Sequence, residues 1–162
     1  MTLPPDTREE AAAKLPALHV MMVMGWEYVS PAQALAMRGS ERGVLLLPVL
    51  RFWLERHRFN FKGNEYPLSG AAIDAVIREV SSTGLSEGLR AANRALYVKL
   101  TKGITVTEFV DGQKTSVTVP LIDWADVDAN SFHVTEELSV ERAAGLGRYR
   151  PDIVGCVNGI PL

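Results

Sequence analysis

The last thirteen residues, Arg150-Pro151-Asp152-Ile153-Val154-Gly155-Cys156-Val157-Asn158-Gly159-Ile160-Pro161-Leu162, constrain this chain more than any other stretch. An apolar run, an Asn-Gly pair and a second apolar run spell a tight hairpin, because both turn residues tolerate positive φ. With Asn158 and Gly159 as the turn, Val157 faces Ile160 and Cys156 faces Pro161. Counting on, Asp152 faces a position three past Leu162, so its cross-strand partner is expected outside this sequence. An aspartate at the mouth of such a hairpin offers a hard oxygen ligand at a sheet edge, the kind a divalent cation takes. The plainer alternative is an aspartate that only caps a strand after a proline.

A chain of 162 residues is one domain's worth, long enough to bury a substantial core. Its 47% apolar content with mixed charge excludes a disordered chain. A net charge of −2 argues against a general polyanion-coating protein but leaves room for a local DNA-facing patch. Cys156 is the only cysteine, so no internal disulfide forms, and its apolar strand reads as core. Met1 is not followed by a basic and then apolar leader, and no apolar run approaches the ~18 residues of a membrane span. The chain therefore reads as cytoplasmic, with no membrane partner.

The first part reads as helical. Thr7-Arg8-Glu9-Glu10 fits a capping box ahead of an amphipathic helix carrying Ala11, Leu15, Leu18, Met21, Met22 and Met24, with Pro16 either kinking it or starting a second helix and Gly25 as the stop. Trp26 to Val29 suits a short strand. Ser30-Pro31 opens a helix that Gly39 ends. Ser40 to His57 is the most apolar helical stretch, interrupted by Pro48. Ser69 starts a clean amphipathic helix to about Ser82, and Ser86 to Lys102 makes another, closed by Gly103. The period then changes to two. Ile104 to Val110 and Lys114 to Ile122 alternate about an Asp111-Gly112 turn. Asp123 to Asn130 is an acidic loop, Phe132 to Val140 a third strand, Gly145-Leu146-Gly147 a flexible loop, and Ile153 to Val157 a fourth strand. Helices first and hairpin-linked strands afterwards predict an α+β single domain over 1–162, helical over 1–103 and mostly antiparallel sheet over 104–162.

The ending resembles a known family. Arg150-Pro151-Asp152-Ile153-Val154 with Val157-Asn158-Gly159-Ile160-Pro161-Leu162 resembles the nuclease motif at the N terminus of the R (restriction) subunit of type I restriction enzymes. Asn130-Ser131-Phe132-His133-Val134-Thr135-Glu136-Glu137-Leu138-Ser139-Val140 resembles the strand before that motif, and Gly25-Trp26 its opening helix end. The resemblance implies a PD-(D/E)xK fold of the restriction-endonuclease type, with Pro151-Asp152 as the first half of its motif. The acid-x-Lys half is absent, so the chain resembles an N-terminal fragment, incomplete at its C terminus and inactive alone.

What the resemblance implies follows residue by residue. Asp152 is the expected catalytic residue and Mg²⁺ ligand, in a site that this sequence leaves incomplete. Arg148 and Arg150, flanking Tyr149, are candidate DNA-phosphate contacts, against the alternative of solvated loop residues paired with nearby acids. ATP belongs to downstream motor domains. The implied partners are double-stranded DNA and the modification and specificity subunits, and the implied reaction is DNA cleavage coupled to ATP-dependent translocation. A non-catalytic or degenerate module that docks on DNA or protein is the second reading. An acid-x-Lys shortly after Leu162 in the parent gene favours the first, and a stop codon there the second.

Other candidates read more simply as structure. Glu9 and Glu10 lie on the opening helix, where the resemblance allows a further carboxylate for the metal site, but Glu10 reads first as a capping-box residue. Arg56-His57-Arg58 with Lys62 reads first as cationic dressing of a helix C terminus, and second as a surface for DNA or an acidic partner. His19 and His133 lack the spacing of a metal pair. Glu136-Glu137 with Asp123, Asp126 and Asp128 make a carboxylate-rich region that could suggest Ca²⁺, but the aspartates lack the glycine and terminal glutamate of a calcium loop and read first as a solvated loop. No phosphate-cradling or serine-nucleophile motif is present.

Overall fold

In a computed structural model of the chain, residues 13–82, 89–141 and 147–162 are described. The capping box at Thr7–Glu10, the start of the helix at Ser86 and the Gly145-Leu146 part of the loop lie outside them. In chain order the elements are α1 (Leu15–Val23), β1 (Glu27–Tyr28), α2 (Pro31–Arg38), α3 (Leu47–Arg56), β2 (Arg58–Phe61), β3 (Asn64–Pro67), α4 (Gly70–Ser81) and α5 (Leu89–Lys102). Then follow β4 (Ile104–Val110), β5 (Gln113–Val119), a 3-10 turn (Val127–Ala129), β6 (Phe132–Glu136), β7 (Val140–Glu141), β8 (Arg148–Tyr149), β9 (Ile153–Val157) and β10 (Ile160–Pro161). The fold is α+β with mostly antiparallel pairing, as the order of periods predicts. Among the described residues no helix is long and apolar enough to cross a membrane.

The chain divides into two compact units, one of described residues up to Leu47 with Ser131–Leu162, the other Pro48–Asn130. The first holds a four-stranded sheet in the order β1-β6-β9-β10, parallel between β1 and β6 and antiparallel elsewhere. The terminal hairpin forms in the register read from sequence, Val157 opposite Ile160 and Cys156 opposite Pro161. Asn158 and Gly159 turn it at φ 50° and 81°. Asn158 is fully buried, donates its N–H to the Ser131 carbonyl at 2.8 Å, and takes the Ser131 N–H on Oδ1 at 2.8 Å. Burial pushes the Cys156 thiol up to about 11, so the residue is core, as its apolar strand implies.

Gly155, inside β9, has a specific reason to be glycine. A Cβ there would lie 2.8 Å from Cζ3 and 3.0 Å from Cη2 of Trp26. That ring packs with its centroid 5.2 Å from that of Phe132, and the Trp26 backbone N–H is bonded to the Met21 carbonyl at 3.0 Å. A bare backbone lets the indole approach the strand this closely.

Some expectations need correction. The opening helix is apolar all round rather than amphipathic: only Leu18 among its residues is buried, and Leu15, Val20, Met22 and Val23 are exposed. Pro16 falls in the first turn of α1, where a missing N–H costs nothing, so of its two readings the helix start holds and the kink does not. Residues 40–46 are not helical; α3 begins at Leu47, and Pro48 falls in its first turn for the same reason. The strand expected from Phe132 to Val140 breaks at Glu137, whose φ of 51° leaves the extended region.

In the second unit, Ser69 accepts the Ala72 N–H on its Oγ and caps α4. Its own N–H goes to the buried Glu108 carboxylate at 2.8 Å, which ties α4 to β4. Ile104, Val106 and Val110 of β4 are buried alternately, and the Asp111-Gly112 turn is at φ 50° and 74°. The β2–β3 hairpin, not expected from sequence, turns at Lys62-Gly63 with φ 52° and 86°.

Substituting Gly155→Ala should destabilise the chain by about 1–3 kcal/mol, the usual cost of forcing a methyl into a packed contact. A denaturant melt showing no loss would mean that the Trp26 ring moves aside freely.

Candidate functional site

The ladder that brings Asp152 into place starts at the Asn158–Ser131 contact. It pairs Phe132 with Val157, His133 with Cys156, Val134 with Gly155, Thr135 with Val154 and Glu136 with Ile153. One rung further, the Glu137 N–H donates to the Asp152 carbonyl at 3.1 Å. Asp152 is thus held by its backbone at the N-terminal end of an inner strand, while its side chain is exposed. Among the described residues that carboxylate takes no ion pair or hydrogen bond.

Around this rung lies a charge network that sequence reasoning did not find. The Lys14 ammonium meets Glu136 at 2.8 Å and Glu137 at 2.9 Å. The Tyr28 hydroxyl donates to Glu136 at 2.7 Å, and the Arg150 guanidinium donates to the other Glu137 oxygen at 2.6 Å. Both carboxyls are held below their ordinary range by these bonds, Glu136 by Lys14 and then Tyr28, Glu137 by Lys14 and then Arg150. The same contacts hold the Lys14 ammonium above its ordinary value, Glu136 first. A cleft of about 290 Å³ opens beside them, lined by Lys14, Leu15, Pro31, Glu136 and Glu137. No local signal links these residues: Lys14 and Glu137 stand 123 positions apart in the chain.

The two candidate phosphate contacts are engaged with acids. Arg148 lies 2.9 Å from Glu41, and Arg150 is the Glu137 partner. Arg38, buried at the end of α2, donates to the Gly43 carbonyl at 2.9 Å and to the Ser139 carbonyl at 3.0 Å, and so fixes the chain just after Glu137.

His133 is driven toward its neutral form by burial, its Nε2 is 3.6 Å from Glu27, and its buried Nδ1 has no hydrogen-bond partner among the described residues. Arg58 donates to the Glu55 and His57 carbonyls at the end of α3, where the macrodipole favours a cation. Asp123 accepts the Ala125 and Asp126 N–H groups, which makes it a turn residue.

Among the described residues no group of three or more His, Cys, Asp or Glu side chains could hold a metal ion. Asp152 offers one hard carboxylate, the kind of oxygen ligand Mg²⁺ takes, and one such ligand does not by itself make a site.

The sequence matches the family described as type I restriction enzyme R protein N terminus over residues 6–162. This chain belongs to that family. A relative, the type I restriction enzyme HindI endonuclease subunit of Haemophilus influenzae, is 26% identical over 150 residues, covering 90% of this chain and 13% of that protein. The putative type I restriction enzyme MjaIXP endonuclease subunit of Methanocaldococcus jannaschii is 34% identical over 70 residues, 43% of this chain and 7% of that protein. The R-protein N-terminal chain therefore spans only a small fraction of the curated relatives it matches. No solved structure matches it.

The bonds of Lys14 to Glu136 and Glu137 predict a pH-dependent contribution to the stability of this chain. Because both carboxyls titrate below their unfolded value near ~4.3, the contribution is present above that pH. It is lost as pH falls through the lower folded values. In Lys14→Met the thermal midpoint should therefore drop less between about pH 6 and about pH 3 than in the parent chain. Parallel acid limbs in circular-dichroism melts would show that the network does not couple to folding.

Proposed function

We propose that this chain is the N-terminal nuclease region of a type I restriction enzyme R subunit. In the full-length subunit it serves cleavage of double-stranded DNA coupled to ATP-dependent translocation. Asp152 carries the reading. It is an exposed carboxylate fixed by its backbone at the end of an inner strand, beside a hairpin that returns toward it. In the β9–β10 register, the position beside Asp152 lies three past Leu162. We place there the acid-x-Lys half of a PD-(D/E)xK motif, supplying the second acid and a lysine. Mg²⁺ bound between the two acids would polarise the phosphate and lower the pKa of a coordinated water.

The residues of this chain act on geometry and charge. Asp152 presents its carboxylate with its backbone already ordered, which removes the cost of fixing it on binding. Arg148 and Arg150 stand on either side of Tyr149 before the motif. Arg148 suits a phosphate oxygen once Glu41 gives it up, and Arg150, held to Glu137 through one terminal nitrogen, keeps further N–H donors for another. ATP would be used by motor domains elsewhere in the full-length protein, in a cytoplasmic assembly with modification and specificity subunits. The second reading, a non-catalytic docking module, is favoured by one observation: both arginines are occupied by acids.

Asp152→Ala in the full-length R subunit, assembled with its partners, decides between them. DNA cleavage should fall by about 100-fold or more, the equivalent of several kcal/mol of transition-state stabilisation, with ATP hydrolysis retained. Cleavage at the parental rate would leave the docking module as the function of this region.

A further inference from the structure

We propose that Glu137 is a positioning residue for Asp152. It acts through the last rung of the β6–β9 ladder and through the ion pair that fixes Arg150. The proposal rests on the nuclease reading above and adds to it a residue outside the Pro-Asp motif.

Three observations converge on this glutamate. Its backbone leaves the extended region at φ 51°, ending β6 at the position opposite Asp152, and its N–H still reaches the Asp152 carbonyl at 3.1 Å. A glutamate has no intrinsic preference for that conformation, so the surroundings must hold it. Its two carboxylate oxygens take different cations, Oε1 the Lys14 ammonium at 2.9 Å and Oε2 the Arg150 guanidinium at 2.6 Å. The next two residues are fixed as well, Leu138 by burial and Ser139 by its bond to the buried Arg38.

The effect on Asp152 follows from chain geometry. Arg150, two residues before it, is anchored to the Glu137 side chain. The Asp152 carbonyl is anchored to the Glu137 backbone, and from Ile153 onward the strand is anchored in the ladder. The segment carrying the aspartate is held at both ends, with its carboxylate left exposed. Such support is what keeps a ligand within the narrow tolerance that metal chemistry needs. The Arg150–Glu137 pair is too exposed, at 60% and 30%, to be a major source of stability. Positioning and folding are therefore separable by experiment.

The test uses the full-length R subunit in its assembled complex and compares Glu137→Gln with Asp152→Ala. In Glu137→Gln we expect kcat for DNA cleavage to fall about 10-fold, with a higher free Mg²⁺ concentration for half-maximal cleavage. The KM for DNA and the ATPase rate at fixed MgATP should stay at parental values, and the melting temperature should fall only slightly, by the small share of these partly exposed pairs. Glu137→Gly, whose backbone favours the left-handed region and keeps the N–H, should show the same loss if the Gln variant folds poorly. Parental cleavage and Mg²⁺ dependence in both variants overturn the proposal, as does a loss of cleavage that only follows a lower melting temperature. A change confined to the KM for DNA also overturns it, since Glu137 would then act through DNA contact. If Asp152→Ala itself cleaves normally, the nuclease reading fails and this proposal with it; if Asp152→Ala is dead and Glu137→Gln is normal, only this proposal fails.

Discussion

The paired bonds between Asn158 and Ser131 set everything that follows in the sheet. A buried amide and a backbone N–H lock the tip of the terminal hairpin to the start of β6, and each later pair of the β6–β9 ladder is counted from that contact. A slip of one residue would turn every side chain of β9 to the opposite face. It would also move Asp152 away from Glu137. The far end of the ladder, where the candidate chemistry lies, therefore inherits its geometry from a turn that carries no chemistry of its own.

A second constraint supports the middle of the same ladder. The Trp26 ring lies over Gly155, whose rung partner is Val134, and β1 continues beside β6 with the Val29 N–H on the Val134 carbonyl at 2.8 Å. The opening segment of the chain thus reaches the strand that bears the motif. Lys14 then binds the two glutamates at the end of β6. Residues near the start and end of the chain cooperate around one rung, and the arrangement presents Asp152 without burying it.

Much of the local structure was legible from residue types. Asn158-Gly159 and Asp111-Gly112 read as two-residue turns because their side chains tolerate positive φ, and both form so. Ser30 and Ser69 read as caps, and both accept an N–H three residues on. Lys62-Gly63 turns a third hairpin in the same way but escaped notice, since lysine is not a residue that signals such a turn. The long helix read across Ser40 to His57 was mistaken because apolar content alone does not separate a buried loop from a helix; Leu45 and Leu46 are buried without being helical.

By itself, the sequence determined the Asn-Gly and Asp-Gly turns, the serine caps, the alternating strands of the second unit, the Pro-Asp motif and the register of the final hairpin. All of these depend on φ preferences and periodicities carried by neighbouring residues. Only the tertiary structure decided that β6 stops at Glu137, that Arg148 and Arg150 have acids to hold, and that Lys14 gathers Glu136 and Glu137 beside the aspartate. Those outcomes depend on which distant side chains packing brings within bonding distance. Such a contact across 123 positions leaves no periodic trace in a single sequence.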